Sequence, residues 1–300
     1  MMAGSFTTLS LSPAPMSDKS TAPPDAFFTI PGHRVLAMEG RDALKFAQAQ
    51  FTTDVQALED GHWQWSGWLT PKGRVIALFA LLRLGPEQLW LVLPDADPAA
   101  LVEQLQRFVF RSKVKLHVLD EVQAAGAFAG SGQASGARIG RGPGEGVELD
   151  MGGEGGRRTL RLSDAAASED PDGAARWAAS DLAHGLPRLD AGQAEQWTPQ
   201  QLSLQRLRGY SVKKGCYPGQ EIVARTHFLG QAKRGLARLQ VPQPVTAGTA
   251  VTAGGSEIGR VVCAAGSEVL AVLPLELPQG PLDIAGAVAT PAPMLDGLAR

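Results

Sequence analysis

The chain has 300 residues, 44% hydrophobic and 19% charged, which is enough for about two domains whose cores need no disulfide or metal staple. Lys and Arg number 28 against 30 Asp and Glu, a formal charge of −2, so the chain as a whole is not a basic nucleic-acid binder. Two cysteines, Cys216 and Cys263, make neither a disulfide framework nor a structural zinc site, and they fit a reducing compartment.

The longest uninterrupted aliphatic and aromatic run, Val75 to Leu82, falls far short of the ~18 residues that cross a bilayer, so no membrane span is expected. Met1 to Asp25 has one basic residue, Lys19, and neither the apolar stretch of a signal peptide nor the arginines of a transit peptide. Its Ser/Thr/Pro/Ala composition predicts a disordered tail over 1–25, and the two cysteines fit a cytoplasmic protein.

A first α+β domain is expected over 26–118. His33 to Met38 reads as a strand, and Arg41 to Phe51 places Leu44, Ala47 and Phe51 on one helical face. Gly61 to Leu93 is strand-rich, with a turn at Thr70–Gly73 and a hairpin around Gly85-Pro86. Asp97 as N-cap and Pro98 at the first position open a helix with an apolar stripe of Leu101, Val102, Leu105, Phe108 and Val109. The β–α–β–β–α–β order is that of a split ferredoxin-like unit.

The second α+β domain, over 119–230, contains a Gly- and Ser-dense stretch at 126–156 that reads as a flexible surface insertion. Gly140 to Gly144 opens no helix and is not a phosphate loop. Arg158 to Leu162 resumes a strand, Asp172 to Ala183 forms a helix carrying Trp177, and Thr198-Pro-Gln-Gln201 has a capping-box pattern. Over 231–300, short apolar runs at Leu236–Val241, Ala250–Thr252, Gly259–Val262 and Val269–Leu275, separated by Gly/Pro turns, predict a small antiparallel barrel.

The densest chemistry lies in Val212 to Glu221. Gly215 and Gly219 mark a constrained turn around Cys216, and Pro218 holds Tyr217 extended. Lys213 and Lys214 are placed to favour a thiolate, the nucleophilic form of cysteine, at Cys216. Gln220, Glu221 and Arg225 follow on a short element that orders the loop or faces a ligand. A buried cysteine in an ordinary tight turn is the competing reading. The five histidines show no metal spacing, and no nucleophile elbow occurs.

Lys214 to Glu221 resembles the signature of the YgfZ family of folate-binding proteins, which reads Lys-Gly-Cys, an aromatic, any residue, then Gly-Gln-Glu. Ile222 to Arg225 and Lys233-Arg234 continue the likeness. Gln48 to Val55, Trp65 to Leu84 and Trp177 to Asp190 extend it upstream, so that it covers most of the chain from His33. The resemblance implies two ferredoxin-like domains and a C-terminal β-barrel around a central channel, as in the glycine-cleavage T-protein. It implies tetrahydrofolate or a derivative as ligand, and iron–sulfur client proteins, tRNA-thiolating ones among them, as partners of an assembly or repair role. Direct nucleic-acid binding is not expected. Cys216 matches the family's functional cysteine, with Lys214 beside it. Trp177 matches a tryptophan used against the folate, with Tyr217, Gln220, Glu221 and Arg225 as further folate-side candidates. A second family tryptophan falls at His33, and the family's Glu-Ala-Gly reads Ala183-His184-Gly185, which leaves His184 or Asp181 to accept from the pterin N–H edge. Lys72 is one more channel candidate, with a solvated turn lysine as its plainer reading.

Two rivals are distinguishable. An aminomethyltransferase needs a carboxylate near the folate nitrogen, but the corresponding acids are Ala77 and Leu78, which argues against turnover of that kind. A non-catalytic docking scaffold for a client protein or tRNA draws on the local basic character of Lys213, Lys214, Arg225, Lys233 and Arg234.

Overall fold

The computed structural model describes residues 26–141, 146–230 and 232–300. The tail expected over 1–25 lies outside the described residues, as do 142–145 of the Gly-rich stretch. The fold is α+β: two five-stranded sheets followed by a closed six-stranded barrel.

The first sheet runs in the order His62–Leu69, Val75–Gly85, Gln88–Leu93, Arg34–Glu39, Lys115–Val118, with every neighbour antiparallel. It holds one strand more than the expected order, because His62–Leu69 pairs along its length with Val75–Gly85. Helices α1 (Ala43–Gln50) and α2 (Pro98–Val109) cover one face, where Ala77, Phe79 and Leu81 point with Phe46, Leu101 and Leu105. Leu78, Ala80 and Leu82 point to the other face, against the second sheet and barrel. A strand buried on both sides cannot alternate with polar residues, and this explains the unbroken run from Val75 to Leu82. In α2 the Asp97 carboxylate accepts from the Ala99 N–H at 2.9 Å. Its buried stripe is narrower than predicted: Phe108 is half-exposed, its ring set edge-on to Trp68.

The second sheet orders Phe28–Thr29, Gln123–Ala127, Thr159–Ser163, Val147–Asp150 and Gly140–Arg141. The chain therefore enters through the second sheet before building the first. The Gly-rich stretch is not a surface insertion; it supplies two of these strands, the end of a third, and buried Ala134, Ile139, Leu149 and Met151. Its glycines serve close packing. A Cβ on Gly126 would stand 2.8 Å from Trp177 Cε3, and one on Gly140 2.6 Å from the Ala134 nitrogen. Helix α3 (Pro171–Ala183) is capped by Asp170, which accepts from the Gly173 N–H at 3.0 Å. Thr198 and Gln201 do form a reciprocal capping box, at 3.0 and 3.2 Å. The box opens a series of turns and a 3-10 helix, Leu204–Leu207, bounded by Ser203 and Arg208 in left-handed conformation. Helix α4 (Gln220–Phe228) comes next.

The barrel uses the four predicted runs, extended to Arg234–Gln240, Ala250–Ala253, Ser256–Ala265 and Glu268–Pro274, plus Leu282–Ile284 and Ala287–Ala292. The last strand closes it, pairing Leu239 with Pro291. Leu239, Val251, Val261, Val269 and Ile284 fill its interior. Cys263 sits beyond a bulge, facing the shared core of all three parts, where burial pushes its thiol up to about 12. The C-terminal segment then runs back into that centre: Leu298 is buried, and its carbonyl accepts from the Trp65 indole N–H at 2.8 Å.

Candidate functional site

The loop from Ser211 to Gly219 is braced by hydrogen bonds at Ser211, Lys213, Lys214 and Tyr217. The Ser211 N–H donates to the Thr52 carbonyl at 2.8 Å, and the Ser211 hydroxyl oxygen accepts from the Lys213 and Lys214 N–H groups. The Tyr217 hydroxyl donates to the Ser211 carbonyl at 3.0 Å, and the Gln220 amide donates to the Lys214 carbonyl at 2.9 Å. Gly219 has φ +77°, and a Cβ there would stand 2.6 Å from the Thr70 carbonyl oxygen. Only glycine lets the loop settle onto the Thr70–Gly73 turn. At the apex of this locked loop Cys216 is exposed.

The Lys214 side chain reaches into the first domain. It is buried, and its ammonium donates to the carbonyls of Gln48 and Phe51 at the C-terminal end of α1. Those are carbonyls that a helix end leaves unpaired, on the negative side of its dipole. The Tyr217 ring lies 4.9 Å from the ammonium. Burial pulls the Lys214 pKa down to about 8. Lys214 is a positioning residue that ties the cysteine loop to the first domain, while Lys213 is exposed.

The remaining predicted residues divide. Tyr217 is buried and Gln220 braces the loop; burial raises the Tyr217 pKa. Glu221 and Arg225 point outward from α4, and Lys72 is exposed on the turn beneath Gly219. Trp177 and His184 are not at the loop. Trp177 is 1% exposed, wedged between Phe28 and Phe128, with the Arg158 guanidinium 4.7 Å over its ring. Arg158 is in turn paired with buried Asp181 at 2.7 Å. His184 is buried between the carbonyls of Ser180 and Glu154, at 2.7 and 2.8 Å, and burial lowers its pKa. Both rings are buried, so neither presents a free face for a pterin in this structure. The reason is tertiary: Gly126 lets the indole sink into the second sheet.

A cleft of about 440 Å³ lies beside the loop, lined among others by Asp54, Arg208, Tyr210, Lys213, His227 and Arg300. Arg300 is held by the carbonyls of Asp150 and Gly297, both at 2.6 Å, and lies 5.2 Å from the Trp63 ring. Its Nε is buried without a partner. Burial raises the Tyr210 pKa, so its hydroxyl keeps its proton. Sequence reasoning passed over Asp54, Tyr210 and Arg300. The only local signal was the Gln48 to Val55 likeness that includes Asp54; Arg300 arrives through the C-terminal segment, which no short-range pattern announces.

No family model matches the chain. The tRNA-modifying protein YgfZ of Cronobacter sakazakii is 31% identical over 229 residues, covering 68% of this chain and 69% of that one. Its namesake from Vibrio vulnificus (strain YJ016) is 30% identical over 222 residues, covering 68% and 67%. An uncharacterized protein of Haemophilus influenzae is 29% identical over 213 residues, covering 70% and 71%. Among solved structures, the glycine cleavage system aminomethyltransferase T of Bartonella henselae superposes with a TM-score of 0.67 over 91% of this chain and 85% of that one; at 16% identity this is a likeness of fold. With the Lys214 to Glu221 signature displayed on an exposed, braced loop and relatives matched over two thirds of their length, the chain belongs to the YgfZ family.

Proposed function

We propose that this protein is a cytoplasmic folate-binding accessory factor that supports assembly or repair of iron–sulfur clusters in client enzymes, tRNA-modifying ones included, through the thiol of Cys216. The observation that carries this reading is the exposed cysteine on a loop braced through Ser211, Lys214 and Tyr217. A thiol so presented can attack a disulfide or ligate iron transiently. It cannot hold a cluster alone, because clusters are held by several protein ligands, usually four thiolates, and Cys263 is sealed in the core. The chemistry is therefore directed at a partner's sulfur or iron.

The cleft beside the loop suits a reduced folate in size, since small-molecule sites run to about 300–1,000 Å³. Tyr210 would stack on a ring, Asp54 would accept from the pterin N–H groups, and Lys213 and Arg208 would meet its carboxylates. A bound reduced folate would supply a one-carbon or redox-active group. Aminomethyl transfer is disfavoured because apolar Ala77 and Leu78 stand at the positions that match the transferase's acids. No helix among the described residues is long and apolar enough to cross a membrane.

The test joins calorimetry with tetrahydrofolate to a cellular assay of iron–sulfur enzymes. Wild type and Cys216→Ala should bind folate alike, Asp54→Asn should bind more weakly, and Cys216→Ala should lose cellular activity. No binding by wild type removes folate from the reading; full activity of Cys216→Ala removes the thiol.

A further inference from the structure

Helix α4 is poorly covered for a helix next to a functional loop. Of its nine residues only Val223 is buried. Ile222 is exposed, Phe228 is 67% exposed and Leu229, just past the helix, is 84% exposed. The face continues beyond the helix. The Leu275 N–H donates to the Lys233 carbonyl at 3.1 Å, which brings Leu275, 65% exposed, and exposed Leu277 to the chain that leaves α4. At the other end, Ile222 packs on Gly73, so the Thr70–Gly73 turn borders the same face. Large apolar side chains gathered in this way mark an interaction surface.

Charge on this face opposes that of the whole chain. Lys72, Lys213, Arg225 and Lys233 are exposed, and none makes an ion pair among the described residues. The acids are Glu221 and Glu276, also exposed and also unpaired. Glu221 and Arg225 stand in the favourable i,i+4 order, yet they make no ion pair with each other. Two signature-region charges thus point away from the molecule with no internal work to do, a few positions beyond an exposed Cys216.

We propose that the outward face of α4, with the Thr70–Gly73 turn and the Leu275–Leu277 strip, docks an acidic protein surface and so presents that partner's reactive group to Cys216. This rests on the thiol-centred reading of the protein's function. The partner is a protein rather than a nucleic acid because Ile222, Phe228, Leu229, Leu275 and Leu277 need apolar cover that a phosphate backbone does not give. The cations steer a negatively charged surface onto the face, and the leucines and Phe228 bury at its centre.

The experiment places a photo-cross-linking amino acid at Leu229 of the full chain in bacterial cells, with a control at Phe110, which is exposed at the C-terminal end of α2. The expected result is an adduct from position 229, absent from 110, whose captured protein is acidic. Its yield should fall at least about tenfold when Arg225→Glu and Lys233→Glu are combined, and it should survive Cys216→Ala. An adduct with RNA, an adduct with a second copy of this chain, a yield matched by the control, or indifference to charge reversal overturns the docking proposal. Loss of client activity in Cys216→Ala without a charge-sensitive adduct leaves the thiol reading standing and removes only the docking face. The adduct without that loss does the reverse.

Discussion

Lys214→Met separates two roles for the lysine that the same sequence allows. The substitution keeps an unbranched side chain of similar reach but removes the ammonium, leaving the carbonyls of Gln48 and Phe51 without their donor. An unsatisfied buried acceptor costs about 1–3 kcal/mol, and two are exposed to that loss. Part is recovered because an ammonium no longer has to be buried, a cost seen in the Lys214 pKa standing at about 8. The net destabilisation is about 2 kcal/mol, or about 3 °C in Tm for a chain of 300 residues. The second measurement is the rate of Cys216 alkylation at fixed pH, which reads one thiol because Cys263 is buried and held neutral. With Lys214 turned toward α1, that rate should stay the same or rise as the loop loosens. A rate that falls tenfold with Tm unchanged would refute the reasoning, since it would mean the ammonium stabilises the thiolate after all.

Single contacts give the other expected outcomes. Gly219→Ala places a Cβ 2.6 Å from the Thr70 carbonyl oxygen at φ +77°, and should cost about 2–4 kcal/mol by denaturant unfolding. Leu298→Ala should cost about 2–5 kcal/mol, because the side chain is buried where the C-terminal segment meets Trp65, and the tryptophan fluorescence should shift. Glu268 accepts two hydrogen bonds from Arg238, at 2.7 and 2.9 Å, which hold its pKa below the ordinary 4.5. Its contribution is therefore present above that value and drains away as pH falls through the lower folded value. Thermal melts across the acid range should show a shallower loss of stability for Glu268→Gln than for wild type, and identical slopes would contradict the assignment.

The sequence located α2 well because its start is written in adjacent residues, Asp97 and Pro98, and its buried positions recur at helical spacing. It placed four barrel strands from turn spacing but missed Leu282–Ile284 and Ala287–Ala292, whose pairing with one another and with Arg234–Gln240 is set by closure of the barrel. The Gly-rich stretch misled because glycine carries two meanings. Composition suggests mobility, whereas Gly126 and Gly140 are there so that neighbouring atoms can approach.

What the sequence determined by itself is the cysteine loop's local turn: Cys216 between Gly215 and Gly219, with Pro218 beside Tyr217, is set by neighbours in the chain. What only the tertiary structure decided is where the other groups point. Lys214 meets Gln48 across 166 residues, and Trp65 meets Leu298 across 233. Trp177, on helix α3, sinks against Gly126 of a strand far earlier in the chain. Such partners are chosen by packing the whole chain into a dense interior, where each buried donor or ring takes the space and acceptor that remain, and no short window of residues holds that information.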